Sequence, residues 1–328
     1  MTDSLIQAYA PLILWTALGL LLCRILPHSL PRLLGRGLYW VGVPLQIFTL
    51  ARQTQWQARV EWASVVTIAA LVGGLLLAWA SLWLVQWIAP VEPAEELAAP
   101  IEAAIVTSEA VHPAARQGSF VLSSMIGNTG FVGLAIVPTF VHEADLGWVV
   151  LYSVTHNLVG SYGLGVLLAS YYGRKADARP WWHLLRDVLT VPSLWAFAVG
   201  FGTRSLIFPA VIDTGLHIGI LVVIPAALTL MGMRLSQLQG WRSLRLAVVP
   251  AALKVVAVPG LVGLSTTVAH LPPAPQLAMV LMSGMPTAFA GLILAEEYNL
   301  DRELIASSIL LSTMALLLTI PLWLWLFG

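Results

Sequence analysis

The sequence has 328 residues, of which 59% are hydrophobic and only 10% are charged. A typical soluble domain carries about 25% charged residues, so this composition excludes an ordinary soluble globular protein. The formal net charge is zero, which argues against the basic surface that nucleic acids require of a partner. The single cysteine, Cys23, excludes an intrachain disulfide and a cluster of thiolate metal ligands.

Apolar runs of about twenty residues, the length with which a helix crosses a bilayer, follow one another along the chain. The first run is too long for the core of a signal peptide and no positive charge precedes it, so we interpret it as a retained span. Charged or Pro- and Gly-rich breaks separate ten predicted transmembrane helices, near residues 5–26, 34–52, 62–89, 118–140, 146–172, 187–208, 211–233, 246–269, 275–297 and 303–327. The sequence therefore predicts an all-α polytopic membrane protein.

The positively charged residues are distributed unevenly between the two sets of loops. The loops after spans one, three, five, seven and nine contain twelve Lys and Arg residues, whereas the opposite loops contain three. Since positively charged loops stay in the cytoplasm, both termini should lie outside, in a multi-pass protein of the plasma (inner) membrane. The linker at 90–117 carries five Glu residues, with apolar residues at helical spacing, and we interpret it as a short acidic cytoplasmic helix.

Two segments of the chain share a short motif. GNTGFVGL at 127–134 and MPTAFAGL at 285–292 align at a constant offset of 158 residues. We therefore divide the chain into two repeats of five spans, 1–172 and 187–328, which a basic linker at 173–186 joins. Because five is an odd number, the second repeat must enter the bilayer from the opposite face, so the repeats are inverted.

Both copies of the motif place Gly or Pro in the middle of a predicted span, namely span four and span nine. Proline removes a helical hydrogen bond and glycine weakens a helix, so both helices should be interrupted. At membrane depth, freed backbone groups are tolerated only where protein or a water-filled cavity satisfies them. Interrupted helices in inverted repeats are typical of secondary transporters, which bind substrate there. The alternative is a pair of kinked packing helices with small residues at a helix interface.

The two motifs also carry a family resemblance. GNTGFVGLAIVP at 127–138 and MPTAFAGLILAEEYNLDRELIASSILLSTMALLLTIPLW at 285–323 resemble spans four, nine and ten of the auxin efflux carrier family. That family includes bacterial relatives of the plant PIN-type carriers and is similar to the bile acid/sodium symporters. The resemblance implies that spans one, two, six and seven form a dimerising scaffold and that the other spans form a moving transport domain. It also implies a substrate at the crossing of spans four and nine.

Two departures from these families bear on the substrate and on coupling. Plant carriers place a carboxylate near the start of span three, but span three here has only Glu61, at its edge, which argues against auxin. No Asp or Glu lies in the central part of any predicted span, which argues against sodium coupling of the bile acid symporter type. Backbone carbonyls can nevertheless form a sodium site.

The predicted substrate site lies at the two interruptions. Its residues are Gly127, Asn128, Thr129 and Gly130 in span four, and Pro286 and Thr287 in span nine. Asn128 can either contact the ligand or cap the second half of its helix. Both threonine hydroxyls can instead bond to the preceding helical turn.

Further polar residues lie inside other spans. Asn157 and His156 in span five can face a substrate cavity or make interhelical hydrogen bonds, and His156 is also a candidate for coupling transport to protons. Lys254 in span eight is a candidate coupling or accessory residue, although its long stem can instead reach the membrane interface. Gln46, close to Pro44 in span two, is a second accessory candidate.

These features predict a secondary active or facilitative transporter, a permease or efflux carrier, for a small organic anion such as a carboxylate. Two half-helix N-termini, which carry the positive ends of the helix dipoles, converge where the anion would sit. The alternatives are a sodium-coupled organic anion symporter and a membrane sensor that does not transport. An enzyme is not expected, because no nucleophile with its base and no metal cluster is recognisable. No metal or other cofactor is predicted, and the expected partners are the anion, the lipid bilayer and a second copy of the chain.

Overall fold

A computed structural model of the chain describes residues 2–23, 25–27, 29–53, 60–88, 113–173, 189–190, 192–236 and 241–328. Within these ranges the regular structure is helical, apart from one isolated bridge between two extended segments. The predicted acidic helix falls outside the described residues from 90 to 112, and the basic linker falls outside them from 174 to 186.

The helices of the first half include two pairs that run on through a π-helical turn. These turns are Leu38–Gly42, between α2 and α3, and His156–Leu164, between α7 and α8. The helices are α1 (Thr2–Leu22), α2 (Leu30–Gly37), α3 (Val43–Gln53), α4 (Trp62–Ile88), α5 (Pro113–Met125), α6 (Thr129–Thr139), α7 (Leu146–Thr155) and α8 (Gly165–Gly173).

The second half contains one such π-helical turn among its described residues. This turn, Leu253–Ala257, joins α11 to α12. The helices are α9 (Pro192–Gly202), α10 (Ala210–Leu235), α11 (Trp241–Ala252), α12 (Val258–Val268), α13 (Pro273–Ser283), α14 (Phe289–Tyr298) and α15 (Arg302–Phe327). Each of the ten predicted spans overlaps at least one of the fifteen helices so described.

The outer surface of these helices is apolar. Leu318 is 78% exposed and Val211 is 83% exposed, and both belong to long apolar helices. A bilayer solvates such side chains, whereas water does not. Four helical stretches are long and apolar enough to cross a membrane: Trp62–Leu84, Ala210–Arg234, Leu244–Val268 and Arg302–Phe327. The fold is that of an all-helical polytopic membrane protein.

The helices α1 and α10 pack with their backbones in close contact. A Cβ atom on Gly19 would lie 2.9 Å from the Cα atom of Gly232, and a Cβ on Gly232 would lie 2.9 Å from the Cα of Gly19. Small residues allow this approach, which is a common way for helices to associate within a membrane, where packing replaces the hydrophobic effect. Glycine is therefore required at both positions.

Replacing Gly232 with leucine should force α1 and α10 apart and lower the free energy of unfolding by at least about 2 kcal/mol, because the new side chain meets backbone that cannot move aside. Thermal unfolding of the detergent-solubilised protein measures the loss. Gly215→Leu is the matched control, since no neighbouring atom lies within 4 Å of a Cβ at this position of α10. Equal melting temperatures for the two variants would contradict the close packing.

Candidate functional site

The two interruptions lie across each other at the centre of the fold. The segments between α5 and α6 and between α13 and α14 are extended and pair as a short antiparallel bridge. The Asn128 N–H donates to the Pro286 carbonyl at 2.6 Å, and the Ala288 N–H donates to the Ile126 carbonyl at 3.0 Å. Several backbone groups freed by each interruption are thus satisfied by the other, as burial away from water requires. The predicted breaks are both present.

Neighbouring helices hold this crossing in place. The Gly127 N–H donates to Nε2 of His156 at 3.2 Å, and the Thr287 N–H donates to Oγ of Ser312 at 3.0 Å. In both halves, a side chain from the next long helical segment accepts the bond. The Thr287 hydroxyl donates to the Ser123 carbonyl at 2.9 Å, so it bonds across to α5 and not to its own preceding turn.

Asn128 caps the second half of the first interrupted helix. Its Oδ1 accepts a hydrogen bond from the Phe131 N–H at 3.3 Å, the geometry of a helix N-cap. Asn128 also lines the cleft described below, and among the described residues no acceptor lies within hydrogen-bonding distance of its Nδ2. Asn128 can therefore cap its helix through Oδ1 and at the same time contact a ligand through Nδ2.

The first turns of α6 and α14 both face the same space. Among the described residues, the N–H groups of Gly130, Phe289 and Ala290 have no hydrogen-bond acceptor. Each of these residues lines the cleft. Free N–H groups at a helix N-terminus, together with the positive end of the helix dipole, attract an anion. Two such ends meet here.

The cleft has a cavity volume of about 90 Å³ and lies between two groups of helices. Gly35, Tyr39 and Val43 of the α2–α3 segment form one wall, together with Leu230 and Arg234 of α10. The opposite wall is made by the crossing, Phe131, Asn157, Tyr162 and α14. A wider cavity of about 480 Å³ shares several of these residues and extends to Arg32 and Arg36. The cleft therefore opens towards the side that the charge distribution predicts to be cytoplasmic.

An ion pair spans the two walls near this opening. Arg234 Nη1 of α10 lies 3.6 Å from Oε1 of Glu296 in α14, and both residues line the cleft and the wider cavity. The Arg234 side chain is only 18% exposed. Both residues stand at the ends of apolar runs, where the sequence alone suggests solvated helix ends. Their role in the cleft depends on α10 and α14 being neighbours, which no local pattern reveals.

Lys254 lies behind the crossing and does not reach the membrane interface. It is 1% exposed, and its Nζ donates to the Ser283 carbonyl at 2.5 Å. A Cβ atom on Gly127 would lie 2.8 Å from this Nζ, so the ammonium packs directly against the extended segment of the first break. The interpretation that its stem extends to the interface is wrong, because Lys254 lies on the buried side of its π-helical turn.

The two polar residues predicted in span five take different positions. Asn157 lines the cleft, and its Nδ2 donates to the Ser153 carbonyl one turn earlier at 2.9 Å. His156 is 2% exposed and is not among the residues that line the cleft. Since its Nε2 accepts from Gly127, His156 positions the crossing and does not itself face the cavity.

Two further predicted residues are buried away from the opening. The Thr129 hydroxyl and the Nε2 and Oε1 atoms of Gln46 have no hydrogen-bond partner within the described part of the chain. Neither residue lines the cleft. Across the described residues, no group of three or more His, Cys, Asp or Glu side chains is placed to hold a metal ion.

Comparisons with known proteins find similarity to membrane transporters. A model of the family described as "Membrane transport protein" matches residues 179–324. An uncharacterized transporter of Methanocaldococcus jannaschii is 25% identical over 213 residues, which cover 63% of this chain and 68% of the relative. An uncharacterized transporter of Methanothermobacter thermautotrophicus is 26% identical over 202 residues, which cover 60% of this chain and 63% of the relative. The chain thus spans about two thirds of the length of these curated relatives.

The matched region contains the second interruption, the Ser312 that accepts from it, and Lys254. The similarity to transporters therefore includes half of the crossing and is not confined to generic apolar helices. These similarities support a membrane transporter and agree with the resemblance of its sequence motifs to the auxin efflux carrier family.

Proposed function

We propose that this protein is a secondary active or facilitative transporter that moves a small carboxylate across the plasma membrane by alternating access. The observation that carries the proposal is the meeting of two half-helix N-termini at one cleft, where the N–H groups of Gly130, Phe289 and Ala290 have no acceptor among the described residues. An anion would take these bonds and neutralise two converging helix dipoles.

The substrate would bind between the crossing and the opposite wall of the cleft. The Nδ2 atom of Asn128 and the amide of Asn157 would add side-chain hydrogen bonds to those of the backbone. Phe131 and Phe289 would enclose the organic part of the substrate, because both line the cleft and lie in the first turns of the two half-helices. A carboxylate with a compact body fits these requirements best.

The arrangement of the chain that best explains this site is ten transmembrane helices in two inverted repeats of five. Two features favour it: the interrupted helices pair antiparallel, and each is bonded by a side chain from the next long helical segment. In such transporters one group of helices moves against the other around the substrate. The cleft, with the α2–α3 segment and α10 on one wall, would be the boundary between the two groups.

The wall that contains α10 would be the static scaffold, and it would also form a homodimer. The helices α1, α3, α9 and α10 pack on one another, and their outer faces carry exposed apolar side chains such as those of Ile13 and Val222. Both termini would lie outside, as the distribution of Lys and Arg indicates.

Uptake into proteoliposomes tests the proposal. Labelled malate, malonate, short-chain keto acids and indole-3-acetate are offered, with and without sodium and pH gradients. We expect saturable uptake of at least one carboxylate, inhibited by an excess of the same unlabelled compound, and none by liposomes without protein. Absence of both transport and binding across this set would contradict the assignment of an organic carboxylate.

A further inference from the structure

Lys254 is buried at membrane depth, and the proposed substrate site does not account for its charge. A lysine at membrane depth usually has an acidic partner or serves a function, because an isolated charge there is costly. The ion pairs among the described residues are Arg116 with Asp301 and Arg234 with Glu296, so Lys254 has no described carboxylate within 4.0 Å. Something other than a carboxylate must compensate its ammonium group.

The Ser283 carbonyl at the broken helix supplies part of that compensation, and the Met285 carbonyl lies near the same segment. Ser283 is the last residue of α13, and its carbonyl, which the break leaves without a helical partner, accepts from Nζ at 2.5 Å. The Met285 carbonyl lies 3.2 Å from the position of a Cβ on Gly127, the same position that is 2.8 Å from Nζ. The C-terminal end of a helix also carries a partial negative charge.

The carbonyl and the helix C-terminus near Nζ of Lys254 are the groups of a cation-binding site and not those of an ion pair with a carboxylate. In transporters with interrupted helices, unwound carbonyls and half-helix C-termini are the groups that bind a coupling sodium ion. Here the ammonium of Lys254 occupies such a position, fixed there by its own side chain. We propose that Lys254 is a tethered cation that permanently fills the cation site of the crossing, so that the protein needs no dissolved sodium ion.

The absence of a side chain at Gly127 leaves the space that the end of the Lys254 side chain occupies. A Cβ on Gly127 would lie 2.7 Å from Cε of Lys254 as well as 2.8 Å from its Nζ, so any larger residue at 127 would displace the ammonium from this position. Gly127 also lines the cleft. The fixed positive charge therefore lies directly behind the wall of the anion site. The part of the inference that concerns transport rests on the proposed function, whereas the filled cation site does not.

Thermal unfolding without any carboxylate tests the cation site directly. Wild type, Lys254→Ala and Lys254→Met are compared in sodium chloride and in choline chloride of equal ionic strength. Alanine opens space beside the Ser283 carbonyl, and we expect sodium to raise the melting temperature of this variant by at least about 3 °C, as a ligand of the folded state does. Wild type and Lys254→Met, in which a side chain fills the space, should not respond.

Absence of a sodium response in Lys254→Ala, or a sodium response in wild type, would overturn the inference. If Lys254→Ala does not fold, the wild type still decides: its melting temperature and its carboxylate uptake should be the same in sodium and in choline, and a requirement for sodium would overturn it. Failure of all carboxylates to be transported would instead contradict the proposed function and would leave the thermal result standing.

Discussion

Asn128→Asp should reduce the affinity for the carboxylate by at least about a hundredfold while the protein stays folded. The substitution retains the Oδ1 that caps α6 through the Phe131 N–H, and a carboxylate is favoured at a helix N-terminus. The Nδ2 donor becomes a negatively charged oxygen. The substitution would therefore remove one hydrogen bond to the substrate and add repulsion between two negative charges.

The measurement is the dissociation constant of the transported carboxylate for purified protein, together with the melting temperature. Asn128→Ser is the matched control, because serine also caps a helix but carries no charge, and we expect a loss of about tenfold. If Asn128→Asp bound the carboxylate as tightly as wild type, Asn128 would be only a cap and the anion would bind elsewhere.

Pro286→Ala should reduce the rate of transport at least about tenfold without lowering the melting temperature. Proline at 286 cannot donate a helical hydrogen bond, so it favours the break between α13 and α14. Alanine would allow the helix to continue through this segment, and the Pro286 carbonyl would then leave the Asn128 N–H to which it bonds at 2.6 Å. The crossing would lose its bridge, and the first turn of α14 would bond internally and no longer to the substrate.

Pro321→Ala is the control for Pro286→Ala, because Pro321 lies inside the uninterrupted helix α15 and does not line the cleft. It should leave uptake into proteoliposomes unchanged. Equal transport by wild type and by both proline variants would mean that the break at 286 is only a kink.

The positions of the two breaks could be predicted because they follow from local chemistry. Pro286 lacks an N–H, and Gly127, Gly130 and Gly284 weaken any helix that contains them, whatever surrounds it. The pairing of the two breaks, by contrast, depends on contacts between residues about 160 positions apart. The repeat offset relates the two motifs but does not show that they touch. The residue type and position of Asn128 indicate the helix cap as one of its two roles.

The surroundings of Lys254 and His156 could not be predicted, because the rotation of a helix about its axis decides which way a side chain points. Both residues lie in π-helical turns, which shift the faces of α8 and α12 relative to an ideal helix. The ion pair of Arg234 with Glu296 could not be predicted for a related reason. Each residue ends an apolar run, and only the tertiary structure brings those ends together.

Protection of a cysteine in the cleft by the transported carboxylate tests the binding site most directly. In a Cys23→Ser background, Ala290→Cys places a thiol on the cleft wall at the first turn of α14, and Ala274→Cys places one in a separate cavity beside the chain end at Gly328. A small thiol reagent labels both, and the rates are compared with and without the carboxylate. We predict slower labelling at position 290 only. Unchanged labelling at 290 under saturating carboxylate, or equal slowing at both positions, would contradict an anion site at the crossing.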